Sequence, residues 1–304
     1  MDFDLTKKPE FPMVFDSTMM GTLIACERKF LLAWLHRINP RGTNIHLHAG
    51  GAFARGMEVT RKAFYSEGLD SDLAIGRGVE ALLKFYGDMD VYDDEAKSWS
   101  RMAGALDYYF QEFPLATDAI KPLHLSNQYA IECTFALPIE GTAHPITGDP
   151  ILYAGRFDML GERDGVVFVV DEKTSSQLGP TWSQKWDLRG QITGYVWGAQ
   201  QYGFPVAGCI IRGISILKTG YGVAEAPVYR SQWEVERWLN GMKKRINRAA
   251  QIWANDEEWL FALDEACAAY SGCGFKRLCQ VQDPTPYVPV YFEENTWDPL
   301  SIRG

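Results

Sequence analysis

Two aspartates and a lysine near the middle of the chain have the types and spacing that suit metal-dependent hydrolysis. Asp158 and Asp171 lie in strand-like segments on either side of Asp164-Gly165, a dipeptide typical of two-residue β-hairpin turns. The register of such a turn places the two carboxylates opposite each other, with Cβ atoms roughly 4.5–5.5 Å apart. Lys173 lies two residues beyond Asp171 and shares its face of the strand, whereas Glu172 points to the other face.

Two facing carboxylates beside a lysine are costly on a central sheet unless a bound cation compensates their charge. Hard oxygen ligands suit Mg²⁺ or Mn²⁺. Lys173 would then position or deprotonate an attacking water, or stabilise a phosphorane-like transition state. The alternative is a surface hairpin with a simple Asp–Lys pair, although the apolar run at 166–170 indicates that the second strand is buried.

Cysteines form a second group of candidate ligands. The six are Cys26, Cys133, Cys209, Cys267, Cys273 and Cys279. Cys133 and Cys209 stand in strand-like apolar surroundings, so we expect them to be buried small hydrophobic residues. The other four comprise one upstream residue and three C-terminal residues separated by spacers of five. Four thiolates can complete a tetrahedral zinc site or hold an iron–sulfur cluster, and the spacing leaves both open.

Helices and strands must position these residues. Hydrophobic periodicity predicts helices over 17–38, 52–67, 184–202 and 230–262, with an acid-rich helical pattern over 70–120. Strands are predicted over 127–137, 151–161, 166–171 and 207–218, followed by a proline-rich extended tail from 281. The order of elements predicts one α/β core with helical N-terminal and C-terminal parts.

The composition is that of an ordinary globular protein. The chain has 304 residues, of which 46% are hydrophobic and 23% charged, and its formal net charge is -9. These values exclude a disordered, collagenous or low-complexity protein. The sequence contains neither an apolar run of transmembrane length nor a secretory pattern at its N-terminus. We therefore expect a cytoplasmic protein with reduced cysteines and no membrane partner.

The charge is unevenly distributed along the chain. Residues 21–62 carry seven Lys and Arg against two Asp and Glu, whereas residues 63–120 carry twelve acids against four bases. Basic segments on both sides of an acidic one can form a groove that follows nucleic-acid phosphates, or can simply be solvated helix faces. The predicted DNA-binding residues are Arg28, Lys29, Lys243, Lys244 and Arg245. Three tryptophans either stack on unpaired bases or belong to the core: Trp34, Trp182 and Trp186.

Several short motifs follow one another in a characteristic order. Gly155 precedes Asp158 by three residues, Asp171-Glu172-Lys173-Thr174 follows, and Gln191 then precedes Tyr195 by four. One outlying cysteine lies before these motifs and three lie after them. The combination resembles the RecB-like branch of the PD-(D/E)XK nucleases. Within that branch it is similar to the iron–sulfur subset, which includes AddB-type subunits, CRISPR-associated RecB-like nucleases and phage exonucleases.

The resemblance covers the chain from about residue 17 to residue 280. It implies an α/β, restriction-endonuclease-like core with a central mixed sheet flanked by helices, plus helical N-terminal and C-terminal parts joined by a four-cysteine cluster. We expect residues 1–304 to form a single nuclease domain. Its parts would be a mainly helical segment at 17–125, the catalytic core at 126–220, and a helical part with the cysteines and tail at 221–304.

The resemblance also implies roles for the residues of the hairpin. Asp158 and Asp171 would bind the catalytic Mg²⁺ or Mn²⁺, with the backbone carbonyl of Glu172 as a further ligand. Lys173 would act on the attacking water or on the scissile phosphate.

Further roles are implied for residues outside the hairpin. Gln191 and Tyr195 would orient the site or the DNA backbone. The ligands of a structural 4Fe–4S cluster would be Cys26, Cys267, Cys273 and Cys279. Structural Zn²⁺ is the alternative, because the middle spacer of five residues is longer than the two residues usual in much of the family.

One feature of the family is missing. Its members often carry a metal-binding histidine on an early helix, four residues after a glycine, and that position counted from Gly51 is Arg55. His48 lies before it and Glu58 lies one turn further on. None of these residues is assigned as a ligand, and Glu58 is the better candidate.

The function implied by the resemblance is that of a metal-dependent DNA exonuclease. It would hydrolyse phosphodiester bonds at DNA ends or single strands, in recombination, repair or phage DNA processing, alongside a recombination or helicase partner protein. The alternative is a catalytically inactive DNA-binding module that keeps the nuclease fold and the cluster.

Overall fold

A computed structural model of the protein describes residues 4–42, 44–87, 95–268 and 272–300. Four acids of the predicted acid-rich segment, Asp88, Asp90, Asp93 and Asp94, lie outside the described residues. The strands are β1 (Val14–Phe15), β2 (Ile38–Pro40), β3 (Lys121–Pro122), β4 (His124–Leu125), β5 (Gln128–Tyr129), β6 (Ile131–Pro138), β7 (Leu152–Arg163), β8 (Val166–Ser175), β9 (Val206–Ile216), β10 (Tyr221–Tyr229) and β11 (Phe292–Glu294).

Helices alternate with these strands along the chain. They are α1 (Ser17–Ala25), α2 (Glu27–Phe30), α3 (Ile45–Arg61), α4 (Ser71–Tyr86), α5 (Trp99–Glu112), α6 (Pro180–Gln184), α7 (Gly190–Gln201), α8 (Gln232–Ala254), α9 (Asp264–Ala268), α10 (Lys276–Cys279) and α11 (Val288–Tyr291). Short π-helical turns span Leu31–Leu35 and Lys62–Ser66, and a 3₁₀ turn spans Thr285–Tyr287. Within the described ranges, no helix is both long enough and apolar enough to cross a bilayer.

The described residues form two compact units. The first unit lies within Met1–Gly42, Phe135–Gly155 and Glu236–Ile302, and the second within Thr43–Thr134 and Arg156–Val235. All four outlying cysteines belong to the first unit. The hairpin aspartates, Lys173 and the Gln191–Tyr195 pair belong to the second unit.

A mixed β-sheet forms the centre of the second unit. Its order is β7-β8-β9-β10, and β3 also pairs with β7. β7 and β8 are antiparallel, β8 and β9 are parallel, and β9 and β10 are antiparallel. β7 begins in the first unit, where β1 pairs in parallel with its first residues. The mixed sheet flanked by helices confirms the α/β class expected from the sequence.

The central strands β8 and β9 present different chemistry on their two faces. Because successive side chains alternate, Asp171 and Lys173 project from one face of β8 and Glu172 from the other. Gly213 of β9 pairs with Lys173, and a Cβ at this glycine would overlap the ring of Trp182. Glycine therefore allows α6 to approach the Asp171 face closely.

Helices α3, α4 and α5 bury the opposite face of β9. Their apolar side chains form one core cluster with Ile214 and Ile216, which alternate with Gly213 along the strand. Phe53, Met102 and Leu106 of this cluster are each at most 2% exposed. The Glu172 side of the sheet is thus a helix-covered interior.

The predicted helix over 17–38 is interrupted at Cys26. This residue has an extended backbone, ends α1 and begins α2, and its Sγ accepts a hydrogen bond from the amide of Lys29 at 3.4 Å. A sulfur atom serves here as the N-cap acceptor, which satisfies one of the free amides of the new helix. The hydrophobic periodicity continues through the break, so the sequence pattern alone did not reveal it.

The C-terminal part contains more strand and less extended chain than the sequence pattern indicated. Residues 221–229 were expected to begin the helical C-terminal part. They form β10 instead, which pairs with β9. The tail beyond 281 contains a 3₁₀ turn and α11 before β11 pairs with β2 in the first unit.

Candidate active site

The β7–β8 hairpin has the register that the sequence predicted. Asp164 and Gly165 both have positive φ, 53° and 77°, as a two-residue type I′ turn requires. The ladder above the turn pairs Met159 with Val170. Continued by one residue beyond this last pair, the same register brings Asp158 level with Asp171, and the charge of Asp171 acts on Asp158.

The two aspartates form an electrostatically unfavourable pair in the metal-free protein. Asp171 is 1% exposed, and Asp158 is partly buried, with its Oδ2 accepting the Glu172 amide at 2.8 Å. Burial raises the pKa of Asp158 well above its usual value, and the charges of Asp171 and Glu132 raise it further. Burial also raises the pKa of Asp171, although Lys173 opposes this shift. Two carboxylates that resist ionisation here are stabilised when a cation binds.

Lys173 is held against Asp171. Its Nζ lies 2.7 Å from each carboxylate oxygen. Burial disfavours the ammonium charge, but the carboxylates of Asp171 and Asp158 outweigh burial and raise the pKa of Lys173. Within the part of the chain that the structure describes, the ion pair with Lys173 is the one polar contact of Asp171 Oδ2. A buried carboxylate oxygen with a single cationic neighbour fits the ligand set of Mg²⁺ or Mn²⁺, which take one or two carboxylates and keep several waters.

Glu132 is a third buried carboxylate that the sequence reading did not single out. It lies on β6 with a positive φ of 55°, and its Oε2 lies 2.7 Å from Nε of Arg156. Burial raises the pKa of Glu132 to about 7, against the lowering effect of Arg156. Its charge also raises the pKa of Asp158, so the two acids are electrostatically linked. Their separation of 26 positions along the chain gave no local signal of this link.

Glu172 points away from the aspartate pair, as the strand alternation predicted. Its carboxylate accepts hydrogen bonds from both terminal nitrogens of Arg61, one at 3.1 Å and the other at 2.5 Å, and from the Tyr109 hydroxyl at 3.2 Å. Burial alone would raise its pKa, but the guanidinium outweighs burial and lowers it. This ion pair anchors α3 and α5 to the strand that carries Asp171 and Lys173.

Gln191 and Tyr195 form a contiguous pair on α7. The Gln191 side-chain amide donates to the Tyr195 hydroxyl at 3.0 Å, as their spacing of one helical turn permits. The Tyr195 ring meets Phe157 edge to face, with ring centroids 5.8 Å apart. Phe157 directly precedes Asp158, so α7 packs against the strand at the site.

Comparison with known proteins shows the family of this chain. The sequence matches the PD-(D/E)XK nuclease superfamily over residues 18–280. The chain belongs to the PD-(D/E)XK nuclease superfamily. Membership indicates a nuclease, which would bind nucleic acid, and members usually use divalent metals such as Mg²⁺ or Mn²⁺.

Similarity to a solved structure is weak. A solved structure described as "Crystal structure of SSO0001" is 13% identical, with a TM-score of 0.31, and the match covers 86% of this chain and 96% of that chain. A search of curated proteins found no match.

Candidates for the family's early-helix ligand all have other partners in this PD-(D/E)XK protein. The Glu58 carboxylate accepts hydrogen bonds from Arg55 Nη1 at 2.8 Å and from Lys62 Nζ at 2.6 Å. These cations outweigh the effect of burial and lower the pKa of Glu58. The His48 ring Nε2 lies 2.8 Å from the Tyr86 carbonyl oxygen. Glu58 nevertheless raises the pKa of Glu132, which places it electrostatically near the site.

The four outlying cysteines of this nuclease-family chain lie near one another in the first unit. The Cys273 amide donates to the Cys267 carbonyl at 3.0 Å, and the pKa of Cys279 is raised by burial and by the charges of the other three thiols. All four are free. Among the residues described, no group of three or more His, Cys, Asp or Glu side chains has the arrangement of a metal site.

The predicted DNA-binding cations also lie in the first unit. Arg28 stacks at 5.6 Å on Phe261, while Lys244 and Arg245 are exposed on α8. Trp182 and Trp186 are 4% and 5% exposed and pack edge to face, which assigns them to the interior rather than to base stacking.

Proposed function

We propose that this protein is a metal-dependent DNA exonuclease of the RecB-like iron–sulfur branch, hydrolysing phosphodiester bonds at DNA ends or single strands. The observation that carries this proposal is the facing pair of Asp158 and Asp171 with Lys173 beside it. Superfamily membership supports the hydrolytic chemistry, and the order of motifs supports the RecB-like branch. A role in recombination, repair or phage DNA processing, with a recombination or helicase partner, follows from that branch.

The chain's own residues have separable tasks in this proposal. Asp158, Asp171 and the backbone carbonyl of Glu172 would hold Mg²⁺ or Mn²⁺, and the ion would supply Lewis-acid polarisation of the scissile phosphate. The raised pKa of Lys173 keeps it protonated, so it donates hydrogen bonds to the attacking water or to a phosphate oxygen. The Gln191–Tyr195 pair holds the strand of Asp158 in place through Phe157.

Cleavage of end-labelled DNA tests the function. Purified protein is incubated with Mg²⁺ or Mn²⁺ and with substrates labelled at the 5′ or the 3′ end, single-stranded or double-stranded. We expect wild type to release short labelled products from an end and Asp171→Ala to release none. If wild type binds DNA but never cleaves it, the protein is the inactive DNA-binding module instead. Equal cleavage by Asp171→Ala would contradict the proposed site.

We also propose that Cys26, Cys267, Cys273 and Cys279 hold a 4Fe–4S cluster in the first unit. Their proximity and free thiols support this proposal, and structural Zn²⁺ is the alternative for the same ligands. Anaerobically purified protein should be brown and should contain iron and sulfide. A colourless protein with stoichiometric zinc would show that the four cysteines hold Zn²⁺ instead of the cluster.

A further inference from the structure

The segment between β8 and α7 carries two exposed cations that the site described above does not use. Lys185 follows α6 and Arg189 immediately precedes α7, four residues later. Both side chains are exposed. Neither makes an ion pair or a side-chain hydrogen bond with any residue that the structure describes. Asp187 is the single acid between residues 176 and 201.

Buried indoles fix the position of Lys185. Its Nζ lies 4.7 Å from the centroid of the Trp186 ring and 5.8 Å from that of Trp182. Trp182 itself packs against Gly213, the β9 residue paired with Lys173. The ammonium of Lys185 is therefore held on the face of the sheet that carries Asp171 and Lys173.

The positive charges of this segment act on the aspartate–lysine site. Burial lowers the pKa of Lys185, and the charges of Arg189 and Lys173 lower it further. The charge of Arg189 also lowers the pKa of Asp171, against the effect of burial. Lys173 is balanced by Asp171, whereas Lys185 and Arg189 lie near each other without an ion pair to any described residue, an arrangement that a bound anion would stabilise.

The start of α7 has donors suited to the same anion. Arg189 is its N-cap residue, and no side chain caps the first turn. The amides of Ile192 and Thr193 bond to the Arg189 carbonyl, so those of Gly190 and Gln191 are the uncapped ones. Free main-chain amides at the start of a twelve-residue helix favour the binding of a phosphate. They would supplement the side chains of Lys185 and Arg189.

We propose that Lys185 and Arg189 bind a backbone phosphate of the DNA strand in the active site, next to the phosphate that is cleaved. This inference rests on the proposed nuclease function, since that function supplies the polyanionic strand. A guanidinium and an ammonium four residues apart, in the connection between α6 and α7, match a phosphate diester, which carries a charge at every nucleotide of the strand. The contact would hold the strand in register while Lys173 faces the scissile group.

Three variants distinguish the effect of this phosphate contact on DNA binding from the effect of positive surface charge in general. Lys185→Gln with Arg189→Gln removes both charges, and Lys185→Arg with Arg189→Lys keeps them. Lys84→Gln on α4 is the matched control, because Lys84 is exposed and has no ion-pair partner among the described residues. Thermal unfolding of each variant checks that it folds like wild type.

Binding is measured separately from cleavage. Each variant is placed in an Asp158→Asn background, and anisotropy of a labelled single-stranded oligonucleotide is followed at several salt concentrations. We expect the double Gln variant to bind about tenfold more weakly at low salt, with the salt slope reduced by about 0.7 for the loss of one phosphate contact on a single strand. The charge-conserving variant and Lys84→Gln should stay within about twofold of the background.

The outcomes distinguish this inference from the proposed function. An unchanged affinity and salt slope for the double Gln variant would overturn the inference, even if wild type cleaves DNA. Loss of binding by that variant, together with a wild type that never cleaves, would support the phosphate site and overturn the exonuclease. Failure of the Asp158→Asn protein to bind any oligonucleotide would overturn the inference outright.

Discussion

At the scale of single residues, the carboxylates that would bind metal, those of Asp158 and Asp171, lower the stability of the protein when no metal is bound. Their facing carboxylates repel in the metal-free protein, and burial strengthens that repulsion. We expect Asp158→Asn to raise the free energy of unfolding in EDTA by about 1 kcal/mol, as is common when functional strain is removed. Asparagine keeps an oxygen for the Glu172 amide. The same variant should lose the stabilisation that Mg²⁺ or Mn²⁺ gives wild type.

Urea unfolding with and without metal checks this expectation. Asp149→Asn is the control, because Asp149 is exposed and outside the hairpin. It should leave both the metal-free stability and the metal effect unchanged. A variant Asp158→Asn that is less stable than wild type in EDTA, or that still responds fully to metal, would show that Asp158 is not part of a repelling metal-binding pair.

Glu132 should make stability fall as pH rises. Its pKa is raised from 4.5 to about 7 in the folded protein. Between these values the folded state binds more protons than the unfolded state, so the free energy of unfolding decreases with pH. The whole effect amounts to at most about 3 kcal/mol, fully lost above pH 7. Glu132→Gln, which can still accept a hydrogen bond from Arg156, should remove the Glu132 contribution and leave the slope of the same sign that Asp158 and Asp171 produce.

His36 acts in the opposite direction over part of the same pH range. Burial and the charge of Arg28 lower its pKa from 6.5 to about 4, so protonation of the unfolded chain reduces stability as pH falls. The informative quantity is therefore the difference between wild type and Glu132→Gln in metal-free urea unfolding across pH 4.5 to 7. A difference that does not vary with pH would exclude the raised pKa.

The two hairpin aspartates were predictable and Glu132 was not, for a physical reason. Asp164-Gly165 permits one compact turn, and that turn sets every opposing pair along the strands. Glu132 reaches the site through a positive φ and an ion pair with Arg156 on another strand. Neither feature has a local sequence signal, because glutamate rarely adopts positive φ.

At the scale of elements, the ion pair of Arg61 and Glu172 joins α3 to β8. Both side chains are 5% exposed, so removing one partner leaves a buried charge without compensation. We expect Arg61→Met to lower the free energy of unfolding by about 3–5 kcal/mol. Adding Glu172→Met should recover a large part of this loss, because the double variant buries no unpaired charge. Urea unfolding of the single and double variants measures the coupling.

An exposed ion pair between α4 and the residue after the second π-helical turn provides the control. Arg77 and Glu67 form an ion pair whose side chains are about half exposed, 51% and 52%. Arg77→Met should therefore cost less than about 1 kcal/mol. Similar losses for Arg61→Met and Arg77→Met would mean that the Glu172 pair does not anchor the helix to the strand.

The sequence predicted helices and strands well where one strong hydrophobic pattern is present. It predicted them poorly where residues of opposite propensity are mixed. The apolar run at the start of β8 indicates a strand buried on both faces, and Phe168, Val169 and Val170 are buried, whereas Val166 beside the turn is 40% exposed. β10 contains Gly222, Pro227, two alanines and two valines in a short stretch, so residues of low and high strand propensity are mixed. Pairing with β9 makes it a strand, and that partner lies outside its own sequence window.

At the scale of the whole molecule, the net charge of -9 is a poor guide to substrate because acids and bases are segregated. Part of the acid forms ion pairs with a buried partner, as in Arg212 with Asp118 and Glu225, and these pairs offset one another's charge. Exposed cations such as Lys244, Arg245 and Lys185 face solvent instead. An acidic chain can therefore bind a polyanion locally.

The proposed cluster makes a prediction about the stability of the whole chain. A link between Cys26 and Cys267 closes a loop of 241 positions, which in the chain-entropy account can contribute as much as about 5 kcal/mol. Cys26→Ser should therefore lose visible absorbance and iron together, and should unfold at a distinctly lower temperature under anaerobic conditions. Cys133→Ser is the control, because Cys133 is a partly buried thiol of the second unit. It should keep the colour and the iron content, so a Cys26→Ser protein that also keeps them would remove Cys26 from the ligand set.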